Sequence, residues 1–210
     1  AMVRRAAELD MPAVAITDHG VMSGVPELED ACNSVAKETG KTVKPLFGCE
    51  VYLTTDEQLK REGRPRLYHM LLIAKTNEGY HNLVKLCSQS HVDNFYYKPR
   101  TTLSMLEKYG KGMIGTSACL AGIVARLLEE NQYQEAVDWA RRLANCFEPG
   151  DFYIELQDQG IVTDHGKTQH DLNVLLTKVA REIGCKTIAA NDFHYLTHDD
   201  ATAQDLMLCI

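Results

Sequence analysis

Six short apolar segments, separated by stretches with helical periodicity, constrain the fold of this chain more than any other feature of its sequence. Segments of this length suit buried strands. Alternation of strands with helices predicts parallel pairing through right-handed crossovers, which defines an α/β fold. The segments begin at Ala13, Leu46, Met70, Met113, Phe152 and Thr187.

Helical patterns fill the intervals between these segments. We expect helices over 2–9, 24–38, 80–90, 103–109, 120–129, 133–147, 169–183 and 201–208. Gly40 and Gly184 are placed to end two of them, and Asn131 with Gln134 forms a capping-box pattern before another. Long polar loops are expected over 54–66, 91–100 and 158–165.

The chain opens within a helical pattern and closes within an apolar one, as if both ends were cut. We therefore expect a single domain over residues 1–210 that lacks its first strand. A barrel of seven or eight strand–helix units fits this pattern better than a complete open sheet does. A length of 210 residues suits one barrel of modest size.

Composition excludes several classes of protein. A net charge of −7 argues against a sequence-independent grip on nucleic acid through bulk positive potential. No apolar run reaches about 18 residues and no leader is visible, so we expect neither a membrane span nor secretion. The seven cysteines include no Cys-x-x-Cys pair, which weighs against a zinc ribbon and fits a reducing cytoplasm. Glycine-rich nucleotide loops and a Gly-x-Ser-x-Gly elbow are missing from the sequence.

Most of the apolar segments run into side chains of the kind that bind metal ions. The carboxyl ends of parallel strands meet at one rim, and imidazole, carboxylate and thiolate groups gathered there can hold divalent ions. His69 is the exception, because it begins its segment and so fits such a rim poorly. The other segments lead to Asp18-His19, Glu50, Cys119, Glu155 and Asp192-Phe193-His194.

Asp192 and His194 form the most informative pair. If they lie on a strand, both side chains point to one face while Phe193 points away, which gives a metal half-site. The alternative is an Asp–His hydrogen bond at a strand end. For the earlier pair, His19 is the candidate ligand, with Asp18 holding its other ring nitrogen. Asp18 could instead cap the helix that follows.

Two more candidates are single side chains. Glu50 lies in an otherwise apolar segment, where a carboxylate is costly to bury unless it is paired or bound to a metal. Cys119 lies between a strand and a helix and is open to three interpretations, as a nucleophile, a thiolate ligand or a core residue.

The stretch from Phe95 to Arg100 combines aromatic and cationic side chains. Binders of single-stranded nucleic acid use this combination, so Tyr97, Lys98 and Arg100 are candidate nucleic-acid-binding residues. A surface loop whose tyrosines pack down onto the protein is the alternative interpretation.

Taken together, these segments resemble the PHP (polymerase and histidinol phosphatase) family. The resemblance is carried by Ala-Ile-Thr-Asp-His-Gly at 15–20, Phe-Gly-Cys-Glu-Val-Tyr at 47–52, Tyr-His-Met-Leu-Leu-Ile-Ala-Lys at 68–75, Phe-Tyr-Tyr-Lys-Pro-Arg at 95–100, Cys-Leu-Ala-Gly at 119–122, Glu-Leu-Gln-Asp at 155–158 and Asn-Asp-Phe-His-Tyr-Leu at 191–196. Lys-Pro-Arg and Cys-Leu-Ala-Gly favour the branch of the family that is attached to bacterial replicative DNA polymerases.

The resemblance implies a distorted (β/α)7 PHP barrel with a cluster of up to three divalent metal ions, zinc or manganese, at its carboxyl rim. The family's opening His-x-His motif has no counterpart in this sequence, which we interpret as loss of the first strand. The implied metal ligands are His19, Glu50, His69, Cys119, Asp192 and His194, and the implied catalytic residues among them are His19, Glu50, Asp192 and His194.

The resemblance also implies a function. The parent chain would be a DNA-directed DNA polymerase, and this domain would be a metal-dependent 3′–5′ exonuclease that acts on the 3′ end of a DNA primer. If the cluster is incomplete, the domain would be a scaffold that supports the rest of the polymerase chain and docks a separate proofreading exonuclease subunit. The alternatives are a stand-alone phosphatase of small phosphate esters and a non-catalytic binding module.

Overall fold

The fold is built around one curled sheet in the shape of a half-barrel, seen in a computed structural model that describes residues 1–59 and 66–209. Eight strands lie in these residues. They are β1 (Ala13–Ile16), β2 (Lys44–Thr54), β3 (Tyr68–Ala74), β4 (Phe95–Tyr96), β5 (Lys98–Thr102), β6 (Met113–Thr116), β7 (Phe152–Leu156) and β8 (Lys186–Ala189).

Nine α-helices and one 3-10 turn lie in the same described residues. They are α1 (Met2–Glu8), α2 (Val25–Thr39), α3 (Asp56–Leu59), α4 (Asn77–Val92), α5 (Leu103–Tyr109), α6 (Ile123–Glu129), α7 (Tyr133–Ala144), α8 (Gln169–Ile183), the 3-10 turn His198–Asp200 and α9 (Ala201–Met207). Among them, none is both long and apolar enough to cross a membrane. The alternation predicted from sequence, and with it the α/β class, is confirmed.

The strands follow the order β4-β5-β2-β3-β6-β7-β8, and β1 pairs with the first half of β2. Pairing is parallel between β1 and β2, β2 and β5, β6 and β7, and β7 and β8. The expectation of parallel pairing throughout is wrong for β3, which runs antiparallel to both β2 and β6.

The reversal of β3 removes the difficulty with His69. Because β3 runs antiparallel to its neighbours, its first residues lie at the rim of the sheet where the parallel strands end. His69 pairs across the sheet with Tyr52, close to the carboxyl end of β2. A histidine that begins this strand therefore reaches the same rim as side chains that end the others.

The stretch 91–100, which was expected to be a loop, contains a tight hairpin instead. β4 and β5 pair antiparallel through Phe95 with Pro99 and Tyr96 with Lys98. Tyr97 makes the turn between them with a φ of 59°. Proline cannot donate a hydrogen bond to a neighbouring strand, so the presence of Pro99 argues against a strand in this stretch of the sequence. The expected loop over 54–66 is also partly wrong, since β2 extends to Thr54 and α3 follows. Residues 60–65 of that stretch lie outside the described residues.

Two apolar clusters hold the layers together. The larger lies between the sheet and helices α4 to α8 and includes Leu72, Leu83, Val137, Ile154 and Val179. The smaller packs α1 and α2 against β1 through Val3, Val14 and Leu28. Strand β8 lies at the sheet edge, and all four of its residues are exposed.

The ends of the long helices are set by local chemistry. Gly40 and Gly184 end α2 and α8 with φ values of 72°, as the sequence predicts. The capping box expected at Asn131 is wrong, because Gln132 is the residue before α7 and Asn131 has a φ of 63°. Thr168 and Asp171 form a capping box at the start of α8 instead.

Truncation of Leu72 tests the central position of β3. Leu72 is fully buried, and its truncation to alanine leaves a cavity between the sheet and the helices that cover it, so Leu72→Ala should lower the free energy of unfolding by roughly 2–5 kcal/mol. Urea unfolding of both proteins measures this. Val174→Ala on α8, where Val174 is 46% exposed, is the control and should change stability by less than about 0.5 kcal/mol. Equal effects of the two substitutions would contradict the placement of β3.

Candidate metal centre

The Glu50 carboxylate lies between two imidazoles. Its Oε2 is 2.8 Å from Nδ1 of His19, and its Oε1 is 2.6 Å from Nδ1 of His69. The Glu50 side chain is only 6% exposed. A carboxylate this deeply buried needs such partners, because its desolvation is otherwise uncompensated.

The backbone explains why these three side chains meet. Glu50 and Tyr52 share one face of β2, and their cross-strand partners on β3 are Leu71 and His69, so Glu50 and His69 are diagonal neighbours. The turn after β1 continues the parallel pairing for one more step, with Glu50 N donating to Asp18 O and Gly20 N donating to Glu50 O. This places His19 directly beside Glu50.

The donor set fits a divalent metal ion. His19, Glu50 and His69 each offer a ligand atom, and these atoms lie within 4.8 Å of one another. Nitrogen and oxygen atoms that share one tetrahedral ion at about 2.0–2.1 Å lie about 3.3 Å apart, so a small side-chain movement suffices to reach that geometry. Zinc accepts this combination of ligands, and manganese favours the carboxylate.

Cys119 adjoins this group through His69. The Sγ atom lies 3.6 Å from Nδ1 of His69, and the backbone N–H of His69 donates to Ala121 O at 3.1 Å, which holds the Cys119 turn against β3. Hydrogen bonds to Cys119 and Glu50 raise the pKa of His69 to about 10. At neutral pH the metal-free ring is therefore an imidazolium, with both ring nitrogens protonated. An incoming metal ion would displace the proton on the nitrogen that it binds.

Asp192 and His194 reach the same pocket by a different route from the one expected. They do not lie on a strand, because β8 ends at Ala189, and Asp192 has a φ of 48°. Phe193, expected to point away, also lines the pocket. The ring of His194 lies 5.8 Å from that of His19. The pocket has a volume of about 610 Å³ and contains His19, Glu50, Asp192 and His194 in its lining.

Glu155 is a pocket residue that the sequence-based site omitted. It is 3% exposed, and its carboxylate accepts from Thr116 Oγ1 at 2.6 Å and from Gln157 Nε2 at 2.7 Å. Burial raises the pKa of Glu155, and repulsion from Asp192 and Glu50 adds to that effect. The sequence could have indicated Glu155 by the same signal that indicated Glu50, namely a carboxylate within an apolar strand.

Asp18 does not hold the second ring nitrogen of His19, contrary to expectation. Nδ1 of His19 faces Glu50, while the main-chain oxygen of Asp18 pairs with β2. The alternative interpretation as a helix cap is wrong too, because the residue before α2 is Gly24. The Asp18 side chain instead lines the pocket beside His19.

An aromatic and cationic surface adjoins the centre. The Tyr52 ring stacks on His19 at 6.2 Å and meets His69 edge-on at 5.6 Å, and Lys98 Nζ lies 5.2 Å from the centre of the Tyr52 ring. Tyr97 is 63% exposed at the tip of the hairpin. Arg100 is 8% exposed and donates to Asn94 O at 2.7 Å, which ties down the base of the hairpin.

Comparison with known proteins identifies the family to which this arrangement belongs. The family model described as "PHP domain" matches residues 1–159. The chain belongs to the PHP family. The curled sheet of mixed direction is consistent with the distorted PHP barrel that the resemblance implies, and PHP domains usually depend on metals.

Curated relatives that match the whole chain include the following three. Each is named DNA polymerase III subunit alpha, and they come from Borreliella burgdorferi at 39% identity, Treponema pallidum at 34% and Aquifex aeolicus at 31%. The chain spans 17% of the first two relatives and 18% of the third.

Neutralising Glu50 tests the centre directly. Glu50→Gln removes the charge that lies between the two imidazoles, so the affinity of the chain for Zn²⁺ should fall by at least about tenfold in calorimetric titration. Glu29→Gln, which makes the same charge change at an exposed site on α2, should leave affinity unaltered. Equal affinities of the two variants would place the metal elsewhere.

Proposed function

We propose that this chain is the PHP domain of a bacterial replicative DNA polymerase and that it hydrolyses phosphodiester bonds at the 3′ end of a DNA primer. The observation that carries the proposal is the grouping of His19, Glu50 and His69 at a pocket whose lining includes His19, Glu50, Asp192 and His194. Imidazole and carboxylate groups of this kind hold the metal ions of metal-dependent hydrolases.

The polymerase context is supported by the relatives. Three alpha subunits of DNA polymerase III align over the full length of the chain, which is under a fifth of their own length. DNA polymerisation, the activity in the name of those relatives, would be carried out by other parts of such a chain. The partners of this domain would then be the remainder of the polymerase and the primer.

The side chains of this domain would have different roles in the metal centre. Glu50, His19 and His69 would hold a first ion, Asp192 and His194 would bind across the pocket, and Cys119 would support His69 or act as a ligand. Bound divalent ions lower the pKa of water and stabilise a leaving oxygen in such centres. Glu50 and Asp192 would balance the positive charge, and Tyr52 would hold both imidazoles in place by ring contact.

The substrate class is supported by the hairpin beside the pocket. Phe95, Tyr96 and Tyr97 are 55%, 41% and 63% exposed, and aromatic faces of this kind stack on unpaired bases. Lys98 lies over Tyr52 beside His19, where its ammonium group would meet a phosphate entering the pocket. Arg100 would act by anchoring the hairpin, because it is buried and hydrogen-bonded to the backbone.

A scaffold is the second candidate function, and one observation favours it. Glu50 already satisfies both of its oxygens with His19 and His69, so the group is stable as a hydrogen-bonded unit without an ion. A domain of that kind would support the polymerase chain and dock a separate exonuclease subunit.

Asp192→Asn separates the two candidates. Asparagine keeps the shape of the side chain but loses the anionic oxygen, so degradation of a labelled primer in Mn²⁺ or Zn²⁺ should fall by at least about a hundredfold. Primer extension by the longer polymerase that carries the same substitution should remain within about twofold. Both activities are measured on one preparation.

Asp205→Asn on α9 is the matched control, because Asp205 is exposed and lies outside the pocket lining. Unchanged degradation by Asp192→Asn would contradict a catalytic role. Lack of any degradation by the unmodified protein would favour the scaffold, and release of phosphate from a small ester without DNA degradation would favour a phosphatase.

A further inference from the structure

The segment that carries Asp192 and His194 needs support from outside the sheet. Pairing of β7 with β8 ends at Leu156 and Ala189, and one further backbone hydrogen bond joins Ala190 N to Leu156 O at 3.0 Å. Beyond that point the chain turns through Asp192 at a φ of 48°, and residues 191–200 are exposed. An exposed, irregular segment has no intrinsic reason to present two ligands toward His19.

A chain of glutamine side chains reaches this segment from α8. The Nε2 group of Gln159 donates to Asn191 O at 2.8 Å, one residue before Asp192. The Oε1 atom of Gln159 in turn accepts a short hydrogen bond from Nε2 of Gln169. Gln169 is the first residue of α8 and is 2% exposed, so the chain of amides is anchored in the core.

The orientation of these amides is fixed by the backbone. Oε1 of Gln169 accepts from the N–H groups of Gln159 at 2.7 Å and Ile161 at 3.1 Å, so that atom must be oxygen. Its Nε2 group must then point to Gln159, and the oxygen of Gln159 must face it. The amide nitrogen of Gln159 is left facing the carbonyl of Asn191, where a donor is required.

A second branch connects the same chain to the pocket. Gln157 donates to Glu155 Oε1 at 2.7 Å, and Gln159 Nε2 lies 3.5 Å from Oε1 of Gln157. The backbone oxygen of Gln157 accepts from Asn173 of α8 at 2.9 Å. The amides therefore hold both the buried carboxylate of Glu155 and the backbone beside Asp192.

We propose that Gln159 is a positioning residue that fixes the Asp192–His194 segment over the pocket, with Gln169 setting its orientation. The inference rests on the proposed metal centre and adds to it the contact that positions two of its candidate ligands, Asp192 and His194. Gln159 touches neither substrate nor metal, and it acts through the Asn191 carbonyl.

Gln159→Glu is the decisive substitution. A carboxylate still accepts from Gln169, but its second oxygen faces the Asn191 carbonyl, so acceptor meets acceptor. We expect lower backbone NMR order parameters over residues 191–196 in the metal-free chain and an affinity for Zn²⁺ that is lower by about tenfold or more. Gln89→Glu is the matched control, since Gln89 accepts from the Tyr109 hydroxyl and a carboxylate can do the same.

Each other outcome overturns a stated part of the account. Order parameters over 191–196 and Zn²⁺ affinity both equal to those of the control overturn the role of Gln159. Lower order parameters spread over α8 and β7 with a lowered melting temperature also overturn it, because Gln159 would then support the fold as a whole. An unmodified chain that binds no Zn²⁺ overturns the metal centre, while the order parameters still test the contact with Asn191.

Discussion

Burial of the Glu50 carboxylate is the constraint on which the rest of the site depends. A charge in the middle of an apolar strand costs several kcal/mol unless partners surround it, and here His19 and His69 do so. One partner comes from the turn after β1 and the other from the beginning of β3. Three separate parts of the chain are therefore fixed to one another around a single side chain, and a divalent ion can replace the hydrogen-bonding protons between them.

The direction of β3 makes this grouping possible. In a sheet of parallel strands alone, a histidine that begins a strand lies at the amino rim, opposite the other ligands. Because β3 runs antiparallel to β2 and β6, His69 lies beside Tyr52 and contacts Cys119 as well as Glu50. The remaining ligand candidates arrive on the segment after β8, which a chain of glutamine amides connects to α8.

The residue types of the site could be predicted from the sequence, whereas their geometry could not. Glu50 is recognisable because a carboxylate interrupts an apolar segment, and Glu155 carries the same signal. The direction of β3 is seen in its pairing with β2 and β6, and the apolar pattern of a strand does not encode its direction. Asp192 takes a left-handed backbone conformation, and the strand periodicity applied to it was wrong for that reason. Pro99 likewise conceals the hairpin that carries Lys98.

Anomalous X-ray diffraction from crystals of the chain grown with Zn²⁺ tests the central claim most directly. The account predicts a zinc peak between the ring nitrogens of His19 and His69 and a carboxylate oxygen of Glu50, at about 2.0–2.2 Å from each. A peak on other side chains, with Glu50 still hydrogen-bonded to both imidazoles at saturating zinc, would contradict it.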